Sequence, residues 1–368
     1  MLNVQEYLEN NTLEDLESEF GIVVTRYDDR VVLNYSQIDS PKFHPICDEC
    51  RGLILSYPEF GVLSRSFNRF YRYMEGGHFQ KKDFDITRSQ VCVKYDGSLI
   101  NLYHDGMNWN CATRKMAFAE GETNKGNIFK SVVEKALGFS IEELEGVHKD
   151  YTIICEVVSP ETRVVIPYPE TRLYVLGIRD KHTGEYLSVD DVYSFVMKLS
   201  TQYGSNVYSY EYFKVDNVQN VLEMAKNLNP MSEDGEGYVC FDPVTENRVK
   251  IKNPSYDAIA HLRENGAISN KKIAQLVFDQ DHEEYLGYFE EDREFFVPYI
   301  NAYNKMREEL EFMWDNTKGI GDQKKFALQV KDHPLSMFLF QKRKGLGFEQ
   351  IVDNLNKKKK QELLERFM

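Results

Sequence analysis

The chain has 368 residues with 42% hydrophobic and 13% aromatic content, which excludes a disordered polymer and leaves room for two domains of about 100 to 200 residues. Its formal charge of −14 argues against a uniformly basic nucleic-acid-binding surface, although a negative average can coexist with a cationic cleft. No apolar run approaches the roughly 20 residues of a membrane span, and Met1-Leu-Asn-Val-Gln-Glu6 lacks the basic and apolar parts of a signal peptide, so a soluble, cytoplasmic protein with no membrane partner is expected.

Residues 3 to 18 have helical spacing, with Val4, Tyr7, Leu8, Leu13 and Leu16 apolar among acids. Apolar runs at 21 to 27 and 30 to 35, split by Asp28-Asp29, read as a hairpin. Residues 51 to 56 with 61 to 66, and 91 to 103 with 108 to 114, read as further strand pairs. A helix is expected over 127 to 137, where Ile128, Val132, Val133 and Ala136 recur at helical spacing. Strands follow at 151 to 158 and 172 to 178, helices at 190 to 199 and 218 to 228, and a last strand pair at 237 to 242 and 247 to 252. Pro254 ends that ladder, since proline has no N–H to give it. Beyond Asp257 the apolar spacing is helical almost throughout. These elements predict an α+β architecture: a domain over 1 to 254 of two antiparallel sheets flanked by helices, followed by an all-α domain over 255 to 368.

The six cysteines suit a reducing compartment. Cys92, Cys111, Cys155 and Cys240 sit singly in apolar runs as buried thiols. Cys47-Asp-Glu-Cys50 has no second pair to complete a zinc site and reads as turn residues ahead of a strand. Arg65, Arg69 and Arg72 fall within eight residues, and basic runs recur at 341 to 344 and 357 to 360. Such runs are solvated faces first and RNA contacts second.

Chemistry concentrates in Val91-Cys-Val-Lys94-Tyr95-Asp96-Gly97-Ser-Leu-Ile100. A lysine at the end of an apolar run, ahead of an Asp-Gly turn, places an amine at the mouth of a sheet. An ammonium cannot attack, so a nucleophilic role requires a depressed pKa, which neighbouring cations and desolvation provide. Lys250 and Lys252 alternate with Val249 and Ile251, so both amines share one strand face and call for an anion between them. Glu156 and Glu236 are carboxylates inside apolar strand runs.

Lys94-Tyr-Asp-Gly-Ser98 resembles the KxDGS signature of the covalent nucleotidyltransferases, the superfamily of ATP-dependent ligases and capping enzymes. Cys50-Arg-Gly-Leu-Ile54, Ser64-Arg-Ser-Phe-Asn-Arg-Phe70, Ile154-Cys-Glu-Val-Val158, Glu236-Gly-Tyr-Val239 and Val249-Lys-Ile-Lys252 follow the order that superfamily uses. The Arg-Gly and Phe-Asn-x-Phe elements, with Thr183-Gly-Glu-Tyr-Leu-Ser-Val-Asp-Asp-Val192, are similar in particular to the phage RNA ligase 1 family, over roughly residues 20 to 255.

The resemblance implies that Lys94 attacks the α-phosphate of ATP and forms a lysyl-AMP, that the AMP passes to an RNA 5′-phosphate, and that a 3′-hydroxyl displaces it. It assigns Glu156 to the ribose and metal side and Glu236 to the metal that assists lysine adenylylation, with Mg²⁺ or Mn²⁺ as the cation. Lys250 and Lys252 would hold the ATP phosphates, and Arg51 would contact nucleotide phosphate. Tyr95 would lie beside the adenine through its backbone, and Asp96 and Gly97 would act geometrically. Arg69 stands where relatives carry lysine, which keeps the charge and changes the geometry. Arg114 matches a cation downstream of the nucleophile, with Lys115 as the alternative, and Tyr174 reads equally as a pocket or a core aromatic. The implied partner is RNA with single-stranded ends, a broken tRNA among the candidates, handled by a monomer. A DNA ligase or a capping guanylyltransferase would use the same lysine but usually appends an OB-type barrel, which the helical tail disfavours. A non-catalytic nucleic-acid-binding protein is disfavoured by the filled charged positions.

Overall fold

A computed structural model describes residues 1–75, 84–123, 126–263 and 267–368, and the chain divides into two compact units, Met1–Ala260 and His261–Met368. The first unit opens with two helices, Asn3–Leu8 and Leu13–Phe20, in place of the single expected one. Thr12 restarts the helix: its hydroxyl accepts from the Asp15 N–H while the Asp15 carboxylate accepts from the Thr12 N–H.

Strands β1 (Ile22–Arg26), β2 (Arg30–Tyr35), β3 (Arg51–Ser56) and β4 (Val62–Ser64) form one antiparallel sheet in that order. The remaining strands are β5 (Tyr71–Arg72), β6 (Gln90–Val93), β7 (Ser98–His104), β8 (Trp109–Thr113), β9 (Tyr151–Val158), β10 (Arg172–Asp180), β11 (Val207–Ser209), β12 (Tyr212–Phe213), β13 (Gly237–Phe241) and β14 (Arg248–Lys252). They build two five-stranded sheets, ordered β11-β10-β9-β7-β8 and β12-β6-β13-β14-β5. The sheets are thus three where two were expected, and the edge pairs β10 with β11 and β14 with β5 run parallel. Edge strands of two or three residues are too short to show an alternating pattern.

Each five-stranded sheet has one face covered by helices. Helices Phe129–Leu137 and Val189–Tyr203 pack on Ile100, Ile153, Cys155, Val157, Leu173 and Val175 of the first. Helix Val218–Lys226 packs on Val91, Tyr238, Cys240 and Ile251 of the second. Period 2 then puts Glu156 and Tyr174 on the other face of the first sheet, and Lys250 and Lys252 on the other face of the second. The expected strand over 91 to 103 is two strands in different sheets, and Lys94 to Gly97 carry the chain from one to the other.

All six cysteines are free thiols. Cys47 lies in the short helix Pro45–Glu49 and Cys50 directly after it, both buried with Phe20, Ile22 and Leu53, so the CxxC is a helical core feature and not a turn.

The second unit is helical, with Asn270–Asp279, Arg293–Thr317 and Lys357–Glu365 among its helices. Tyr285, Phe289, Phe296, Phe326 and Phe338 are fully buried there. The two basic runs are partly consumed by this packing: Lys360 turns inward to Asp279 at 2.7 Å, Lys342 pairs with Glu311 at 2.6 Å, and Arg343 donates to the Ile320 carbonyl at 2.7 Å. Among the described residues, no helix is long and apolar enough to cross a membrane.

Candidate active site

Lys94 extends the β6–β13 ladder by one residue, its backbone N–H donating to the Gly237 carbonyl at 2.9 Å. Glu236 immediately precedes β13, and Lys252 pairs with Gly237 across β14. Three chain ends therefore meet. The Glu236 carboxylate is held between two ammonium groups, Lys94 Nζ at 2.8 Å on Oε2 and Lys252 Nζ at 2.8 Å on Oε1. Gly237 permits this approach: its φ is +124°, and a Cβ there would lie 2.3 Å from the Ile251 carbonyl oxygen.

Gly97 has a similar role against the other sheet. A Cβ at Gly97 would stand 2.3 Å from the Val157 carbonyl oxygen and 3.0 Å from Cγ of Glu156. Residues 94 to 97 can therefore lie directly on β9, beside Glu156. The Asp-Gly pair works as a crossing between sheets, not as a hairpin turn. Asp96, 4% exposed, anchors that crossing. It accepts from the N–H groups of Val165 at 2.8 Å and Ile166 at 2.7 Å, and from the Tyr256 hydroxyl at 2.5 Å. Burial and then Glu236 raise the Asp96 pKa, and these hydrogen bonds oppose the rise.

The electrostatics differ from expectation at the lysines. Burial alone would lower the Lys94 pKa, but Glu236, Glu156 and Asp96 outweigh it, and the net direction is upward. With only the protein's own charges present, Lys94 is an ammonium. The depressed lysine is Lys250, lowered to about 7 by burial, then by Lys94 and Arg51, with Glu75 opposing. Lys250 makes no salt bridge among the described residues, and its Nζ lies 5.6 Å from the Phe70 ring centroid. The Glu156 carboxylate likewise makes no hydrogen bond or salt bridge among the described residues. Burial pushes its pKa up to about 7, with Lys94 opposing and Glu236 reinforcing the rise.

Arg51 sits over Phe70 at 5.1 Å, and its Nη1 is buried with no hydrogen-bond partner among the described residues. Burial lowers its pKa. Tyr35 links the remaining cations: the Arg114 guanidinium lies 5.4 Å and that of Arg69 4.1 Å from its ring. Lys115, the alternative to Arg114, points to solvent. Arg69, 4% exposed, donates to the Ser40 carbonyl at 3.3 Å and reaches Arg114 only through Tyr35. Tyr95 stacks on Tyr174, ring centroids 3.6 Å apart and 12° from parallel, so both readings of Tyr174 meet in one buried aromatic beside the residue that follows Lys94.

The structure thus gathers Lys94, Asp96, Gly97, Glu156, Glu236, Lys250, Lys252 and Arg51 at one place, with Tyr95 and Tyr174 beside them. Arg114 and Arg69 stand further out. Sequence reasoning missed Tyr168, Tyr256 and Asp257. Tyr168 accepts from the Asp96 N–H at 3.2 Å and donates to the Glu233 carbonyl at 3.1 Å. Asp257 pairs with Arg72 at 2.5 Å and with Lys252 at 3.4 Å. Tyr256 and Asp257 belong to helix Pro254–Ala260, which follows β14 at once, and no spacing rule marks a helix turn as facing a sheet end.

Two features fit an anion. Among the described residues Arg51 Nη1 is a buried donor without an acceptor and Lys250 a desolvated amine without an ion-paired carboxylate, so a phosphate chain would satisfy both. Glu156 and Glu236 fit a hard divalent cation that keeps several waters and takes other ligands from phosphate. No group of three or more His, Cys, Asp and Glu side chains among the described residues is arranged to hold a metal by itself. Together, a partly buried lysine amine, two carboxylates and a row of cations suit transfer of a phosphoryl group onto an amine.

No family model matches the chain. It is 30% identical over 335 residues to a protein of Autographa californica nuclear polyhedrosis virus named for polynucleotide kinase and RNA ligase activities, covering 84% of this chain and 45% of that protein. The chain therefore spans a little under half the length of that viral relative. It is 24% identical over 380 residues to an RNA ligase of Rhodothermus phage RM378, covering 86% of this chain and 84% of that one. Among solved structures, an archaeal ATP-dependent RNA ligase aligns with 90% of this chain and 77% of its own at 14% identity, with a TM-score of 0.43.

Proposed function

We propose that this chain is an ATP-dependent RNA ligase with Lys94 as its nucleophile, a reading supported by its similarity to viral and phage RNA ligases and by the geometry of the site. The observation that carries the reading is the seat of Lys94 Nζ, 2.8 Å from Glu236 at a junction of two sheets where Lys252, Lys250 and Arg51 converge. An isolated surface lysine would need none of these neighbours.

In the first step Lys94 Nζ attacks the α-phosphorus of ATP. An N–P bond forms, the P–O bond to pyrophosphate breaks, and the ammonium proton is lost beforehand. Lys252 and Lys250 lie along one face of β14 and stabilise the charge that builds on the phosphate oxygens. Arg51 supplies its unpaired Nη1 to the same chain of phosphates. A divalent cation on Glu156 and Glu236 would take up the carboxylate charge that holds Lys94 protonated. In the second step an RNA 5′-phosphate oxygen attacks the same phosphorus, the N–P bond breaks, and Lys94 recovers its proton. In the third an RNA 3′-hydroxyl attacks the 5′-phosphate and releases AMP. The helical unit His261–Met368 would contribute to the choice of RNA, with the ends of a broken tRNA anticodon loop as the proposed substrate and a monomer as the working form.

Intact-protein mass after incubation with Mg²⁺ and each ribonucleoside triphosphate tests this reading. The expected result is an AMP adduct formed with ATP alone and missing from Lys94→Ala. A GMP adduct would move the chain to the capping enzymes. No adduct with any nucleotide, in protein first treated with pyrophosphate, would overturn the proposal.

A further inference from the structure

Along the same face of β14, two residues beyond Lys250, stands Arg248. Each cation of this row lies near an aromatic ring: Lys252 at 5.0 Å from Tyr256, Lys250 at 5.6 Å from Phe70, and Arg248 at 4.0 Å from Phe67. Arg248 also lies 4.0 Å from Phe241 and 4.5 Å from Tyr186, and its Nη1 donates to the Tyr186 hydroxyl at 3.1 Å. Arg179, 4% exposed near the end of β10, spends its donors on neutral acceptors: the Ser66 carbonyl at 2.6 Å, the Gly184 carbonyl at 2.8 Å and Asn68 Oδ1 at 3.0 Å. Arg65 donates its backbone N–H to Thr152, the β9 residue opposite Arg179, and its Nε is buried with no partner among the described residues.

None of these three arginines forms a salt bridge among the described residues. Burial lowers the Arg179 pKa to about 10, and the charges of Arg65 and Arg248 add to that fall, with Tyr186 and Glu246 opposing. Three guanidinium groups that repel one another and have no ion-paired carboxylate among the described residues are stable together once an anion joins them.

We propose that Arg65, Arg179 and Arg248 form a second anion site, which takes a backbone phosphate of the RNA strand. The inference rests on the ligase reading. Four residues of β14 separate Arg248 from Lys252, about 13 Å of strand. A triphosphate whose α-phosphate is at Lys94 extends by only two P–O–P bridges, enough for Lys250 and short of Arg248. A polynucleotide with its 5′-phosphate at Lys94 has further phosphates to place at that distance. The packed rings of Phe67, Tyr186 and Phe241 fix the guanidinium of Arg248, so binding there costs little side-chain entropy.

Fluorescence anisotropy of a 5′-phosphorylated single-stranded oligoribonucleotide, over a range of salt concentrations, tests the site with the full chain and its Arg65→Gln and Arg248→Gln variants. AMP-adduct formation from ATP is measured alongside. Each variant is expected to weaken RNA binding about tenfold at low salt and to flatten the log–log salt slope by about 0.7, the value of one lost single-strand phosphate contact. The adduct should still form. Arg65→Lys, which keeps the charge, should restore most of the slope. Unchanged RNA affinity and slope in both glutamine variants would overturn the proposal. So would unchanged RNA binding with a raised ATP requirement for the adduct, because the site would then serve the nucleotide's terminal phosphates. If the unsubstituted chain binds RNA with these Arg65 and Arg248 dependences yet forms no adduct, the anion site stands and the ligase reading falls.

Discussion

Lys250 should take up a proton when nucleotide binds. In the free protein its pKa is about 7, so at pH 8 roughly nine in ten molecules carry it neutral. A triphosphate against the amine favours the charged form and moves the pKa back toward an ordinary lysine value. Binding at pH 8 should therefore consume about 0.9 proton per nucleotide from this residue. Affinity should fall by up to about tenfold per pH unit as pH rises above 7, until the pKa of the bound state is reached. Calorimetric titration with the α,β-methylene analogue of ATP in Mg²⁺, in buffers of different ionisation enthalpy, reads the uptake without adduct chemistry. Glu156 also titrates near 7 and is about nine-tenths ionised at pH 8, so the difference between the unsubstituted chain and Lys250→Met isolates the lysine. Lys250→Arg should bind nucleotide without the uptake. Uptake near zero in the unsubstituted chain, or equal uptake in Lys250→Met, would refute the reasoning.

Two further substitutions probe the crossing between sheets. Tyr256→Phe removes the 2.5 Å hydrogen bond to buried Asp96 and should cost about 1.5 to 3 kcal/mol in the first unit. Because the Asp96 pKa is already raised and the lost bond was opposing that rise, the penalty should be larger at pH 8 than at pH 5; equal melting shifts at both pH values would count against it. Gly97→Ala should all but abolish adduct formation, since its methyl would meet the Val157 carbonyl, a backbone atom fixed in the β7–β9 ladder. A Gly97→Ala protein that adenylylates at the normal rate would mean that the crossing has slack the geometry does not show.

Much of this site was legible because its residues lie on strands. Period 2 put Lys250 and Lys252 on one face without any structure, and Arg248 obeys the same rule, although a lone arginine at a strand start drew no notice. The apolar run around Lys94 was legible too, but its continuity misled. Val91 to Val93 and Ser98 to His104 have the same alternating character, and nothing local tells a strand that turns back from one that passes to a second sheet. What decides it is tertiary: the Gly97 backbone fits under β9, and Asp96 finds its three donors in the loop after β9 and in a helix 160 residues on. The sign of the Lys94 shift had the same origin. The cations expected to depress it are present, but Glu236 sits 2.8 Å away, and its charge together with those of Glu156 and Asp96 outweighs burial. With Lys94 as the proposed nucleophile, an amine held as an ammonium becomes reactive only when charge is drawn away from Glu236 and Glu156. On that reading, a divalent cation that arrives with the nucleotide would supply the change.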